Sequence, residues 1–285
     1  MNKKEQLIAY AKTQQWAYAN IEGGSQLWLW VRMYLKFCCT GSKIGDACGV
    51  GYGSRQKYFK EQAGLVKRPK FPPYVLEMMN HGNTWEDTTL LLFLKEHLPN
   101  YNRDRVIRTG IIVSPRDART AATPDAYLPD LDAIVEIKCR WPNAEKEPQT
   151  DGIHNYVTPY IPASHHMQVL HEMHCTGTSN AYYVTLGLTA STARSKRLWK
   201  ELTPFRLTVE HYKFPQKFYD RIIWPKIEKF MNCVEKKQDP GRMANGSSKA
   251  LKVLLQRHLQ PIGGTKYYKG FCSLVTKPVG VPYTQ

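Results

Sequence analysis

The chain contains no Cys-x-x-Cys pair, and its seven cysteines (Cys38, Cys39, Cys48, Cys139, Cys175, Cys233 and Cys272) are odd in number. That pattern disfavours a disulfide framework and a cysteine-rich zinc or iron–sulfur centre, and it fits reduced thiols in a reducing compartment. No apolar run reaches the ~18–20 residues of a membrane span. The run Leu27-Trp28-Leu29-Trp30-Val31, for example, stops at Arg32. The start, Met1-Asn2-Lys3-Lys4-Glu5, lacks the apolar centre of a signal peptide, so a soluble intracellular protein is expected. No period of about 20–50 residues repeats and no low-complexity tract occurs, which removes solenoids. Gly49-Val50-Gly51-Tyr52-Gly53-Ser54-Arg55 has neither G-x-G-x-x-G nor G-K-S/T spacing, so a flexible loop is expected there and not a nucleotide cradle. Acidic residues are also scarce: 24 Asp and Glu stand against 40 Lys and Arg, an excess of 16 positive charges. A polyanionic partner is the first implication.

What is present is enough for a real core. The 285 residues are 42% hydrophobic and 12% aromatic, which excludes a mainly disordered chain and suggests one large domain, or one domain with an extension. Half of the excess charge falls in residues 236–285, where nine basic residues face a single acid, Asp239. Turn residues from Asp239 to Ser248 mark the start of this segment. The expected division is a domain over 1–235 and a basic C-terminal extension over 236–285. Apolar spacing predicts helices over residues 4–18 and 25–37. A long helix is expected after Pro72-Pro73, burying Val75, Met79, Leu90, Leu91, Phe93 and Leu94, with a break at Gly82. Strands are predicted over Arg105–Val113, Pro124–Leu128, Ala133–Lys138, Ala181–Leu186 and Phe205–Val209. A closing helix over 217–235 is predicted despite Pro225. The fold class is α/β (α+β), a small mixed sheet flanked by helices.

Chemistry concentrates between Thr123 and Cys139. Pro129-Asp130-Leu131-Asp132 supplies turn formers between two strand-like runs, so these runs should form a hairpin. Asp125 opens its first strand, while Glu136 and Lys138, two apart on the second, share a face. Paired carboxylates are the hard oxygen ligands that Mg2+ prefers, and a neighbouring lysine can orient water or stabilise a charged transition state. A lone Glu-x-Lys is more often a solvated strand face, and Pro-Asp more often a turn, so spacing by itself leaves both readings open.

Four blocks in order sharpen the choice: Thr40-Gly41-Ser42-Lys43-Ile44-Gly45; His81-Gly82-Asn83-Thr84-Trp85-Glu86; Thr123-Pro124-Asp125 with Glu136-Ile137-Lys138-Cys139; and Gln168-Val169-Leu170-His171-Glu172-Met173 with Thr176-Gly177. Together they resemble the YqaJ-type viral recombinases of the PD-(D/E)xK nuclease superfamily, a lambda exonuclease-like group with distant similarity to herpesvirus alkaline nucleases. The resemblance spans residues ~25 to 235.

It implies a restriction-endonuclease-like core and a Mg2+-dependent DNA exonuclease, with two ions and Mn2+ expected to substitute. The enzyme would act 5′ to 3′ on linear duplex in viral or phage recombination and replication. Asp125, Glu136 and the Ile137 carbonyl are then metal ligands, and Glu86 is a further carboxylate at the metal centre. Lys138 is the catalytic lysine; the family's second glutamine, the one near the attacking water, is missing here, which leaves Gln168 as a weaker candidate on a helix face that could point away from the site. Ser42 and Thr123 would contact phosphate. Leu170 replaces the family's second glutamine, and its phosphate-clamping arginine has no exact counterpart, leaving Arg32 and Lys36 as the nearby cations. Double-stranded DNA is the implied partner, and a single-strand annealing protein could receive the product. In a virus the setting would be the nucleus or cytoplasm of a host cell.

Two other readings compete: an endonuclease of the same superfamily, RNA-cleaving or structure-specific, and a nucleic-acid-binding protein without catalysis. Residues His165, His166, His171, His174 and Cys175 crowd one predicted helix, but His-Glu-x-His is not the His-Glu-x-x-His spacing of a zinc protease, so core or solvated histidines are expected. The clusters Lys67-Arg68-Lys70 and Arg194-Ser195-Lys196-Arg197, with Trp199, could contact phosphates or stack on a base.

Overall fold

The computed structural model describes residues 13, 15–21, 25–67, 70–140, 161–190, 202–241 and 246–269. Helix α1 (Gln26–Leu35) starts where Ser25 Oγ accepts the Trp28 N–H at 3.1 Å, and it ends at Lys36 in the left-handed region. The helix expected over 4–18 lies mostly outside the described residues. Its described end is turns, with Tyr18 bridging to Ile111.

Strand β1 (Cys39–Thr40) leads through a 3-10 turn, Gly41–Lys43, into the short helix α2 (Ile44–Ala47). Ser54 then caps α3 (Arg55–Gln62). The glycine segment between them is no loose loop. It wraps the buried Asp46, whose carboxylate takes the Gly53 N–H at 2.8 Å and Lys43 Nζ at 2.9 Å. A Cβ at Gly51 would lie 2.0 Å from Asp46 Oδ1, so bare backbone is required.

Helix α4 (Pro73–His97) runs unbroken through Gly82. One glycine in a helix costs about 1 kcal/mol, less than is gained by burying Trp85, Leu90, Leu92, Phe93 and Leu94 on the sheet. Only the second half of α4 supplies this core. Met79 and Leu91, expected inside, are exposed.

Two short strands follow, β2 (Ile112–Val113) and β3 (Thr120–Ala122), with β1 pairing parallel to β3 in a three-stranded sheet. The strand expected from Arg105 is mostly irregular: Arg103–Arg105 is a 3-10 turn, and Ile107 makes a single bridge to Tyr127. Strands β4 (Ala126–Leu128), β5 (Ala133–Arg140), β6 (Asn180–Ala190), β7 (Leu202–Lys213) and β8 (Lys266–Lys269) form the main sheet in that order. The β5–β6 pair is parallel and the other three are antiparallel. Between β5 and β6 lies α5 (Ala163–Thr176).

The predicted hairpin is β4–β5. Pro129–Leu131 makes one 3-10 turn and Asp132 closes it at φ 45°, a conformation that Asp tolerates better than most residues. Alternation along β5 then sorts its side chains. Val135 and Ile137 join the α4 side, whereas Ile134 joins the core under α5, taking Glu136 and Lys138 to that same side.

The closing helix α6 (Trp224–Glu235) buries Ile227, Phe230, Met231 and Val234. It is preceded by an α-turn, Gln216–Phe218, and a five-residue π-helical turn, Tyr219–Ile223. The π-turn shifts the hydrogen-bond register just ahead of Pro225, which has no N–H to give. The described part of the basic segment, 236–241 and 246–269, packs onto the domain. From α7 (Ser247–His258) and the residue after it, Leu251, Leu255 and Leu259 enter the core beneath α5, and β8 extends the sheet. Ser248 Oγ donates to the Gly49 carbonyl at 2.7 Å, and Arg55 reaches the Pro240 carbonyl at 3.3 Å. Where the sequence suggested an appendage, the structure has a packed helix and an edge strand.

Candidate active site

The β4–β5 register pairs Ala126 with Val135, so Asp125, one residue before β4, stands across from Glu136. Its carboxylate takes the Ile137 N–H at 2.6 Å. In a strand the N–H and C=O of one residue point to the same side. The Ile137 carbonyl therefore opens beside Asp125, beyond the last residue that β4 pairs. Glu136 is 1% exposed and forms an ion pair with Lys138. Burial works against the Lys138 charge, but Glu136 and Asp125 outweigh it and hold the ammonium protonated well past the ordinary lysine range.

Helix α5 delivers the next layer. Gln168, which the sequence left as a weak candidate, faces the site: its amide nitrogen donates to Glu136 at 2.6 Å and to Glu172 at 2.9 Å. Leu170, the residue in place of the second glutamine, is fully buried in the core. Burial, then the neighbouring Glu136 and Glu86, push the Asp125 carboxyl well above the usual carboxylate range. Glu172 is raised in the same way by burial, Glu136 and Asp125.

From α4, Glu86 forms an ion pair with Arg108, which also holds Asp87 at 3.2 Å. Burial raises the Glu86 carboxyl against the lowering effect of Arg108. The arginine is fixed by its neighbours in sequence. Ile107 exchanges both backbone hydrogen bonds with Tyr127, at 3.0 and 2.8 Å, and Thr109 Oγ1 donates to the Pro124 carbonyl at 2.5 Å. The residues beside Asp125 thus also set the position of Arg108.

Ser42 is exposed on the 3-10 turn, and Thr123 follows β3. Because Thr40 pairs in parallel with Ala121, both hydroxyl residues leave the same end of the β1–β3 pair, next to Asp125. Lys36 is exposed at the end of α1. The side chain of Arg32 lies outside the described residues, as do Arg68, residues 194–197 and Trp199.

Sequence reasoning missed Arg108 and Glu172. The first carries no motif. The second has a readable signal, since it lies one helical turn from Gln168.

The histidines of α5 are largely core residues. His171 contacts Tyr219 OH at 2.8 Å and Thr120 Oγ1 at 2.9 Å, and His174 contacts Ser114 Oγ at 3.0 Å. Burial holds the His171 and His174 rings neutral.

Among the described residues no three His, Cys, Asp or Glu side chains stand ready as a metal cage. The carboxylates are turned onto Lys138, Gln168, Arg108 and the Ile137 N–H. The donor set nonetheless fits a hard divalent cation. It is all oxygen, and one carboxylate oxygen each of Glu136 and Glu172 is buried with no partner among the described residues.

Known proteins bear on this arrangement. The profile of the YqaJ-like viral recombinase domain matches residues 28–179. No curated protein sequence matches the chain. Among solved structures, the alkaline exonuclease LHK-Exo from Laribacter hongkongensis superposes with a TM-score of 0.53 at 20% identity, covering 75% of this chain and 94% of that one. LHK-Exo in complex with dAMP gives a TM-score of 0.53 at 19% identity, with the same coverage. This likeness shows the fold, a mixed α/β core with a small sheet flanked by helices, the class expected from the sequence. The profile match covers more than half of the chain and contains Glu86, Asp125, Glu136, Lys138 and Gln168, and the chain belongs to the YqaJ-like viral recombinase domain family.

Proposed function

We propose that the protein is a Mg2+-dependent exonuclease that degrades one strand of linear duplex DNA from its 5′ end during recombination. The observation that carries this reading is the placement of Asp125, Glu136 and Lys138 around one strand end, with the Ile137 carbonyl opening beside them and Gln168 hydrogen-bonded to Glu136. Family membership supports nuclease chemistry. The relative LHK-Exo is an alkaline exonuclease that has been crystallised with dAMP, a mononucleotide of the kind exonucleolysis releases.

In this mechanism Asp125, Glu136 and the Ile137 carbonyl would hold the cation, with Glu86 adding a carboxylate from α4. The chemistry supplied by Mg2+, or Mn2+ in its place, would be neutralisation of phosphodiester charge and acidification of a water. Lys138, which Glu136 and Asp125 favour in its protonated form, would orient that water or face charge developing on the phosphate. Gln168 steadies the Glu136 carboxylate. The exposed Ser42 and the nearby Thr123 offer hydroxyl donors to the terminal phosphate, with Arg32 and Lys36 as candidate phosphate contacts. Charge on 236–285 adds affinity for the duplex, and the single strand left behind suits an annealing protein.

The test is digestion of 5′-phosphorylated linear, 5′-hydroxyl linear and covalently closed circular DNA, with Mg2+ and with EDTA. Mononucleotide release from the linear duplexes only, dependent on Mg2+ and favoured by 5′ phosphate, is the expected result. Efficient cutting of the circle would point instead to an endonuclease.

A further inference from the structure

We infer that Glu172 is a cation-holding carboxylate of this site, additional to the acids of the motif and supplied by the helix that carries Gln168. The inference rests on the proposed metal-dependent reading and extends it.

Gln168 and Glu172 are one turn apart on α5, hence on one face. A single amide nitrogen of Gln168 reaches Glu136 Oε1 and Glu172 Oε1, so the two carboxylates face each other across it. Both glutamates are 1% exposed, and the second oxygen of each has no hydrogen-bond partner among the described residues. Backbone confines Glu172 from another side: a Cβ added to Gly41 would stand 3.5 Å from its Oε1. Burying a carboxylate without a counter-charge is costly, and removing its water demands either a proton or a cation.

Local charge selects between cations. Arg108 already answers Glu86 and Asp87. At the hairpin, Asp125, Glu136 and Glu172 bring three carboxylates against one ammonium, Lys138. Fully ionised, that group carries an excess of two negative charges, which one divalent ion cancels. The donors are all oxygen, so the cation is hard, of the Mg2+ or Mn2+ type, and not zinc. Without Glu172 the same group would be short by only one charge. Glu172 therefore raises the affinity of the site for a divalent ion over a monovalent one.

The test is titration of the intact, metal-free protein with Mn2+, followed by electron paramagnetic resonance of the free ion and by thermal melting. Glu172→Gln keeps the size and an acceptor for Gln168. It should weaken Mn2+ binding about tenfold or more, in line with the way carboxylate count tunes such sites, while melting at or above the wild-type temperature without metal. Glu172→Asp, which keeps the charge, should bind Mn2+ with affinity between the two. Equal Mn2+ affinity in Glu172→Gln and wild type overturns the inference, whatever Asp125→Asn does in parallel. Unchanged binding in Asp125→Asn together with loss in Glu172→Gln would count against the motif site and still support Glu172.

Discussion

Asp125 accepts the backbone N–H of Ile137 at 2.6 Å, so the acid that leads the first hairpin strand also ties down the second. The contact gives Asp125 two roles that substitution can separate. Asp125→Asn keeps an oxygen acceptor for Ile137 and should fold with near-native stability while losing at least about a thousandfold in DNA hydrolysis. Asp125→Ala should lose the same activity and also about 1–3 kcal/mol of stability, since a buried N–H is left unpaired. Urea unfolding beside nucleotide release reads both, and full activity in either variant would sink the site assignment.

Gln168 is the donor shared by Glu136 and Glu172. Gln168→Leu leaves two buried acids without it, and a loss of about 1–3 kcal/mol is expected in metal-free protein. If a cation sits between these acids, saturating Mn2+ should recover part of the lost melting temperature. A variant as stable as wild type in EDTA would show that the bridge contributes nothing.

Arg108 pairs with Glu86, so under the proposed mechanism it would compete with a cation for that carboxylate. Arg108→Gln is expected to lower the Mg2+ concentration for half-maximal rate, because a guanidinium has left the carboxylates. The maximal rate should fall about tenfold as Glu86 loses its fixed position. Arg108→Lys should lie between the two. An unchanged Mg2+ dependence would assign Arg108 to surface charge alone.

His166 is 2% exposed, lies edge-on to Tyr212 and has no partner for either ring nitrogen among the described residues. Burial pushes its pKa down to about 4. As pH falls below the ordinary histidine value of about 6.5, the unfolded chain takes up a proton that the folded one refuses. Stability is then lost down to about pH 4, at about 1.4 kcal/mol per pH unit from this residue. His166→Phe should be more stable than wild type, by a margin that grows on acidification across that window. Parallel pH profiles of the two proteins would refute it.

In the basic segment, charge and packing can be tested apart. Lys249, Lys252 and Arg257 are exposed on α7, while Leu251 and Leu255 are buried. Replacing the three cations with Gln should weaken DNA binding and reduce its salt slope by up to about three, with the melting temperature unchanged. Leu255→Ala should cost about 2–5 kcal/mol. An unaltered salt slope in the triple variant would remove the segment from the DNA-binding surface.

The sequence disclosed elements whose signal is local. The hairpin could be read from Pro129-Asp130-Leu131-Asp132 between two apolar runs, and the shared face of Glu136 and Lys138 from strand alternation. Strands β1 and β3, of two and three residues, are too short to show any period. Helix α4 ran through Gly82 because its tertiary contacts outweigh a local propensity. Within the site, Arg108 meets Glu86 from 22 positions away, and Gln168 reaches Glu136 across 32. A chain pattern records such meetings only where a motif marks both ends. Gln168 carried that mark. Arg108 did not.

The position of β8 has a consequence for biosynthesis. Lys266–Lys269 covers the outer edge of β7, a strand of twelve residues. A nascent chain that has emerged only through α6 would hold the β4–β5 hairpin and still present that edge, with unpaired N–H and C=O groups, to any neighbouring strand. Pairing with Lys266–Lys269 closes part of an edge that is otherwise open to strand addition. Truncations near residue 235 should accumulate as inclusion bodies even where their active-site residues are complete.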